Sequence, residues 1–552
     1  MPRQLVILGA DFPSVTVDDA LTKAMVPGIY ANSHRPGALM LHLNVKNILY
    51  GLCPRPLRPL WHRVEASEIG YRLAKGAFWS LLGTLITQAL SLVSVIVAAR
   101  LLGQVGFGEL GMINSTVGMF GVFAGLGLGL AATKYLAEWR AKDPVRAGRL
   151  LGLMNRLTVV SGAVVSLTFF AIAPILATRT LNAPHLSWEL RLGCALLFLN
   201  ALVGVQIGAL SGLEAFRTIT RVSLLRGMLN FPVTIVSVRF WGLSGAVAAL
   251  VITAAAGWWL NEVALRRECR RLDIVVSCDG TRRELGLVWQ FALPAVLAAI
   301  TGGSVVWAAN AILVNQPNGY GELGLLNAAN QWRTLLMSLP SILCNVALPI
   351  LASEYRGKNG SASFGRVMEL TQSLSVLVVV PVATLILFLG EWIMLLFGRS
   401  FMAGMPILVG VVLGTAISAI GSAVGAGITA KGMMWFGFLQ NLTWGMVLLA
   451  FVWVLAPTWG AKSFALGFPV SYLILATWTY WVLRHDLPQR MILRTCASIG
   501  YLVIITGSCL CVPSTARPML ALPAFVLSAL VSVFGLVSAE LRLSLYRRLR
   551  AC

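Results

Sequence analysis

Apolar runs about 20 residues long follow one another along most of the chain, separated by short polar or basic joints. Runs of that length cross a hydrocarbon core of roughly 30 Å as helices. They do not alternate apolar with polar side chains, so barrel strands are excluded. Six runs occupy the first half, at about Gly76–Ala99, Phe107–Ala132, Leu157–Ala177, Leu192–Leu213, Val222–Val238 and Gly242–Leu265. Six more lie at about Leu287–Val314, Gly321–Leu351, Val367–Leu389, Pro406–Ala430, Trp435–Leu455 and Ala461–Leu483, and two final runs at about Leu493–Val512 and Leu520–Val537. The pattern predicts an all-α polytopic membrane protein with fourteen transmembrane helices.

Composition agrees: 57% of residues are hydrophobic and 12% charged, with a mean hydropathy of +0.80. A soluble chain has no interior large enough for that much apolar surface. The net charge of +22 would suggest nucleic acid in a soluble protein. Here Lys and Arg gather in alternate joints, at 134–149, 266–283, 356–366 and 484–494, and in the tail. That pattern marks cytoplasmic loops facing anionic headgroups. Both termini are then expected in the cytoplasm, and no nucleic-acid partner. The nine cysteines and five histidines form no metal spacing, and no Gly-Lys-Ser/Thr nucleotide loop is present, so neither cofactor nor ATPase activity is expected. The glycine-rich run around Gly121–Gly129 sits within an apolar helix, where close packing or bending is its expected role.

One stretch repeats. Gly106-Phe107-Gly108-Glu109-Leu110-Gly111 returns as Gly319-Tyr320-Gly321-Glu322-Leu323-Gly324, and Asn114 as Asn327, at an offset of 319 − 106 = 213 residues. Gly76-Ala77-Phe78-Trp79 echoes Gly286-Leu287-Val288-Trp289. Glu138-Trp139-Arg140 echoes Glu354-Tyr355-Arg356, and Trp241-Gly242 echoes Trp459-Gly460. Two six-helix lobes of the same orientation, made by parallel duplication, account for these echoes. The organisation read from the sequence is a cytoplasmic, poorly ordered extension at 1–72, with Met25 and Met40 as alternative starts, an N-lobe at 73–265, a basic inter-lobe loop at 266–285, a C-lobe at 286–484, and two extra helices with a basic tail at 485–552.

Five segments then bear on family. They are Lys75-Gly76-Ala77-Phe78-Trp79-Ser80, Ala99-Arg100-Leu101-Leu102-Gly103, Gly106-Phe107-Gly108, Gly125-Leu126-Gly127-Leu128 and Tyr135-Leu136-Ala137-Glu138. Together they resemble the opening of the Wzx-type polysaccharide flippases. These O-antigen and exopolysaccharide translocases share a superfamily with multidrug and toxin extrusion exporters and the peptidoglycan lipid flippase. The resemblance implies a central cavity that opens alternately to each side of a bacterial inner membrane. It implies an undecaprenyl-diphosphate-linked oligosaccharide as cargo, no bond made or broken, and polymerase and chain-length components as further partners.

Such a cargo needs buried cations for its diphosphate and amides or aromatic faces for its sugars. Arg333 is the first candidate. It lies 12 residues beyond Gly321, about 18 Å along a helix, and shares about 160° of arc with Asn327, Asn330 and Gln331. A structural ion pair is the alternative. Arg226 in the fifth run, Arg100 and Lys134 are further candidates for the diphosphate. Snorkelling to the headgroups or interface anchoring is the plainer expectation for these three. Glu109 and Glu322 occupy matching places. They suit a helix N-terminus, with a coupling proton or sodium ion as the second reading. A multidrug or toxin exporter and a peptidoglycan-lipid flippase of the same superfamily are rivals; an exporter of cations would be expected to keep deep carboxylates, and the deep charge here is an arginine. A membrane glycosyl polymerase would need a long outer loop, which the sequence lacks.

Overall fold

The computed structural model describes residues 68–140, 142–277, 285–356, 360–484 and 487–537, all within the unit Arg55–Cys552. The expectations for residues 1–67 and for the tail beyond 537 lie outside the described residues. Among those described there are helices and no strands. In chain order they are α1 (Glu68–Gly125), α2 (Leu128–Trp139), α3 (Pro144–Ile175), α4 (Ser187–Gly212), α5 (Phe216–Arg271), α6 (Leu285–Val314) and α7 (Gly319–Arg356). Then come α8 (Gly360–Phe388), α9 (Gly390–Leu395), α10 (Met405–Ala430), α11 (Met434–Trp459), α12 (Lys462–Val482), α13 (Gln489–Cys511) and α14 (Arg517–Val531).

These helices make fourteen spans. The 58-residue α1 would be about 87 Å long if straight, nearly three hydrocarbon thicknesses. It is divided at Gly103 (φ 71°) into span 1 and most of span 2, which α2 completes. The 56-residue α5 is divided at Gly242 into spans 5 and 6. Helices α3 and α4 are spans 3 and 4, α6 to α8 are spans 7 to 9, and α10 to α14 are spans 10 to 14. Ten helical stretches are long and apolar enough to cross a membrane. The two divided ones supply two spans each, and α6 and α7 complete the set.

The duplication is visible in the backbone. Gly242 has φ 55°, ψ −128°, and Gly460, at the junction of spans 11 and 12, has φ 55°, ψ −134°. Each follows a tryptophan. A side chain is disfavoured in that left-handed region, so glycine holds both turns. These two joints lie at one end of the bundle. The opposite end carries Arg140, Arg217, Arg221, Arg266, Arg271 and Arg484, and is called the basic end below.

Three apolar cores form. The largest joins both lobes away from the basic end, uniting Met112, Ile113 and Phe169 with Leu326, Phe401 and Phe464. At the basic end the lobes keep separate cores, one around Leu136, Leu150 and Met154, the other around Leu351, Phe364 and Met368. Spans 13 and 14 stand outside the repeat and pack on span 9 through polar contacts. Ser528 Oγ donates to Thr384 Oγ1 (3.0 Å) and Arg494 pairs with Glu369, while Arg517 pairs with Glu391 of the adjoining α9 (2.8 Å).

Candidate functional site

The repeated glycine stretch meets its own copy. A Cβ on Gly108 would lie 1.8 Å from the carbonyl oxygen of Tyr320, and one on Gly324 would lie 2.1 Å from that of Gln104. Two backbones therefore touch where spans 2 and 8 cross, and any side chain would force them apart. Gln104 Nε2 donates to the Gly321 carbonyl across the contact (3.1 Å). The neighbouring residues exchange lobes. Phe107 enters the C-lobe between Phe397 and Phe401 (ring centroids 6.3 and 6.0 Å), and its counterpart Tyr320 enters the N-lobe, its hydroxyl donating to the Leu181 carbonyl (2.9 Å). Arg100 donates to the Leu396 carbonyl (2.6 Å), and Asn315 to that of Thr180 (2.8 Å). The seam is shut at the end opposite the basic end.

Towards the bilayer midplane from the seam lies a chamber of about 390 Å³, lined by spans 1, 2, 5, 6, 7 and 8. Its polar wall has six amides, Asn114, Asn230, Asn310, Asn327, Asn330 and Gln331, beside the hydroxyls of Ser94, Ser115 and Thr234. Among the described residues its lining carries no charge. Asn310, 6% exposed, donates to Ser115 Oγ (3.1 Å), and Trp307 Nε1 next to it donates to Thr116 Oγ1 (3.1 Å). Asn327 Nδ2 and Asn330 Oδ1 are buried without a hydrogen-bond partner.

Arg333 does not line this chamber. It turns to span 12, where one guanidinium nitrogen donates to Tyr472 Oη (3.3 Å) and the group stacks over Phe468 (5.2 Å). Tyr472 is halfway along Lys462–Val482, so the charge sits near the midplane inside the C-lobe. Trp444 packs on both rings (5.6 and 6.4 Å), and its indole Nε1 is buried with no partner. Among the described residues no carboxylate pairs with Arg333, although an arginine at a helix centre costs about 2.5–3.5 kcal/mol on insertion scales.

Arg226 is deeper than expected. Helix α5 begins at Phe216, six residues before the predicted start, because the exposed Arg217 and Arg221 belong to the helix rather than to a turn. Arg226 is thus ten residues in, about 15 Å, with its stem against Gly257 of span 6 (3.1 Å to a Cβ placed there). It is one turn from Asn230, on the basic-end side of the chamber. Lys134 is exposed on α2 near the basic end, its ammonium over the Tyr135 ring (5.1 Å). Glu109 and Glu322 are both occupied. Glu109 binds the His185 ring (2.7 Å), and Glu322 accepts from the backbone N–H of Ala461 (3.1 Å), at the start of span 12.

Asn327, Asn330 and Gln331 therefore share one chamber, while Arg333, Arg226, Arg100 and Lys134 occupy four separate places. Sequence reasoning missed Asn114, Asn230 and Asn310. The repeat held a signal for the first, which is the copy of Asn327.

The polysaccharide biosynthesis protein model matches residues 73–354, just over half of the chain. The chain belongs to that family. It is similar to the EPS I polysaccharide export inner membrane protein EpsE of Ralstonia nicotianae, with 24% identity over 380 residues, 66% of this chain and 83% of the relative. Among solved structures it is similar to the lipid II flippase MurJ in an inward closed conformation (TM-score 0.65, 12% identity, 82% of this chain and 97% of that one). It is also similar to an inward-facing multidrug resistance MATE transporter of the MOP superfamily (0.58, 17%, 76% and 98%). At these identities the structural likenesses establish the fold.

Proposed function

We propose that the protein translocates an undecaprenyl-diphosphate-linked oligosaccharide across the bacterial inner membrane by alternating access, for surface polysaccharide or O-antigen synthesis. EpsE is named for polysaccharide export, MurJ for lipid II flipping, and the family for polysaccharide biosynthesis. The observation that carries the reading is the amide-walled chamber between two duplicated lobes, shut at one end, with a guanidinium group at mid-depth in each lobe. Amides offer sugars both donors and acceptors. Arg226 and Arg333 each supply a desolvated cation suited to a phosphate. Glu109 and Glu322 are held at the seam rather than in the chamber, which argues against a cation exporter. The basic end faces the cytoplasm by the distribution of Lys and Arg, so the site loads from that side, and both termini lie there.

Reconstitution tests this. Proteoliposomes loaded with a prenyl-diphosphate oligosaccharide are treated with an impermeant glycosidase from outside. Protein-dependent exposure of lipid from the protected leaflet is expected, and exposure no faster than in protein-free vesicles defeats the proposal. In cells that rely on this protein, its deletion should strand the lipid-linked oligosaccharide on the cytoplasmic leaflet.

A further inference from the structure

The chamber and the cations are separate, and the separation has a chemical meaning. Every group lining the chamber is neutral among the described residues. Asn327 and Asn330 are one turn apart on span 8, and both line the chamber; Asn327 Nδ2 itself packs against Gly111, 1.6 Å from a Cβ placed there. A hydroxyl or an N-acyl amide suits a wall of amides and hydroxyls, because both sides donate and accept. A phosphate or carboxylate oxygen only accepts, so it has nothing to give the oxygen acceptors of such a wall. An anion there would also lose its hydration with no cation in the wall to replace it, which is costly in a low-dielectric site. Asn114, the repeat copy of Asn327, supplies an amide from the other lobe, and Asn230 supplies one from span 5.

We infer that the chamber is a saccharide subsite for uncharged sugar units bearing hydroxyl and N-acyl groups, and that it excludes the phosphates, which lie one helical turn closer to the basic end at Arg226. The inference rests on the translocation reading for its physiological ligand, but its test does not. The sugar head enters first, towards the shut seam, and the diphosphate follows. Arg226 is four residues before Asn230, so its stem begins about 5–6 Å from that amide on the same helix face, close enough for one molecule to use both. The 390 Å³ available is within the roughly 300–1,000 Å³ of small-molecule sites, room for a short stretch of sugar rather than a long chain.

Binding is measured on the full chain in nanodiscs with three probes: a neutral N-acetylhexosamine disaccharide, the same disaccharide with one ring as a hexuronate, and a headless short-chain prenyl diphosphate. The neutral disaccharide should bind at least tenfold more tightly than the hexuronate form. Asn330→Ala and, from the other lobe, Asn230→Ala should each weaken the neutral disaccharide about tenfold and leave the prenyl diphosphate unchanged. Arg226→Gln should do the reverse. Two lining variants on different spans guard against one that fails to fold, and inserted protein is checked by size exclusion. No binding of the neutral disaccharide, equal binding of the acidic one, or loss of prenyl diphosphate binding in Asn330→Ala overturns the assignment. Disaccharide binding without translocation in vesicles would instead refute the function proposed above and leave the subsite standing.

Discussion

Spans 2 and 8 are copies of one helix, and they differ at one level. Position 127 is glycine in span 2; its counterpart in span 8 is Pro340 (340 − 127 = 213). Span 2 is broken there: Leu126 has φ 44°, Gly127 has φ 64°, and α2 starts afresh at Leu128. Span 8 runs through Pro340 as continuous helix. In both lobes the position marks the passage from the shared core to the lobe's own core, between Ala124 and Leu128 in one and between Leu336 and Ala347 in the other. Beyond the break, α2 is fastened to span 4. A Cβ on Gly208 would lie 2.1 Å from the Gly129 carbonyl, and Thr133 Oγ1 donates to the Gly208 carbonyl (3.0 Å). Glycine and proline are two different means of letting a helix bend. One joint is broken in this conformation while its twin is continuous helix, so lobes of common origin need not move alike.

The largest effect is expected where the lobes are still alike, at the seam. Gly108→Val and Gly324→Val each place atoms within about 2 Å of a backbone carbonyl, and no rotamer relieves that. Transport should fall to background, and cysteines introduced at the seam should become reactive from the end that is shut here. Gly118→Val is the control, since a Cβ there meets nothing within 4 Å. If Gly108→Val transports normally, the seam is not a gate.

The cations come next. Arg333→Ala and Arg226→Ala should each lower transport at least tenfold, about 1.4 kcal/mol of binding, with insertion and thermal stability preserved. Arg333→Lys should recover less than half of the loss, because an ammonium lacks the planar stacking on Phe468 and the fixed fork of donors. Wild-type transport in Arg333→Ala would reduce that residue to a packing role and leave the N-lobe cation to act alone.

Much of this architecture is legible in the chain itself, since hydrocarbon demands about 20 apolar residues per crossing and the repeat announces itself at Gly106 and Gly319. The joints are harder to read. Arg217 and Arg221 resemble a turn by charge, yet they extend α5, because a basic side chain on the first turns of a helix can reach the headgroups. The break at Leu126–Gly127 leaves no mark beyond a glycine-rich run. Asn114 is legible as the twin of Asn327, whereas Asn230 and Asn310 are single amides in apolar runs and acquire meaning only when six spans converge. The Phe468, Tyr472 and Trp444 setting of Arg333 depends on contacts across more than 100 residues of sequence, which periodicity within one helix does not encode.

The joint itself can be pushed both ways. Gly127→Ala puts a side chain at φ 64°, which costs about 1–2 kcal/mol and disfavours the bent span 2 seen here. Pro340→Ala returns a backbone N–H to the interior of span 8 and favours the continuous helix seen here. Spin labels on the basic end of each lobe should report shifts of opposite sign, with Gly127→Ala moving the population by about fivefold or more. Shifts of the same sign would mean that the two positions do not act as one paired joint.

The smallest effects separate the two acidic residues, which the repeat places identically and the structure does not. Glu322 accepts from the Ala461 N–H where the Gly460 turn leaves the start of span 12 without helical acceptors. Its carboxylate touches Gly460 itself (3.1 Å to a Cβ placed there). Glu109 instead meets the exposed ring of His185, and exposed ion pairs contribute about 0–1 kcal/mol. Glu322→Gln should therefore lower thermal stability by about 1 kcal/mol, and Glu109→Gln by only a few tenths. Both variants should keep transport above half of wild type at every pH and sodium concentration tried. If Glu322→Gln melts like wild type but its transport no longer responds to the ion gradient, the carboxylate is a coupling site and not a cap. The matching place of Glu109 would then be the first position to examine for the second ion.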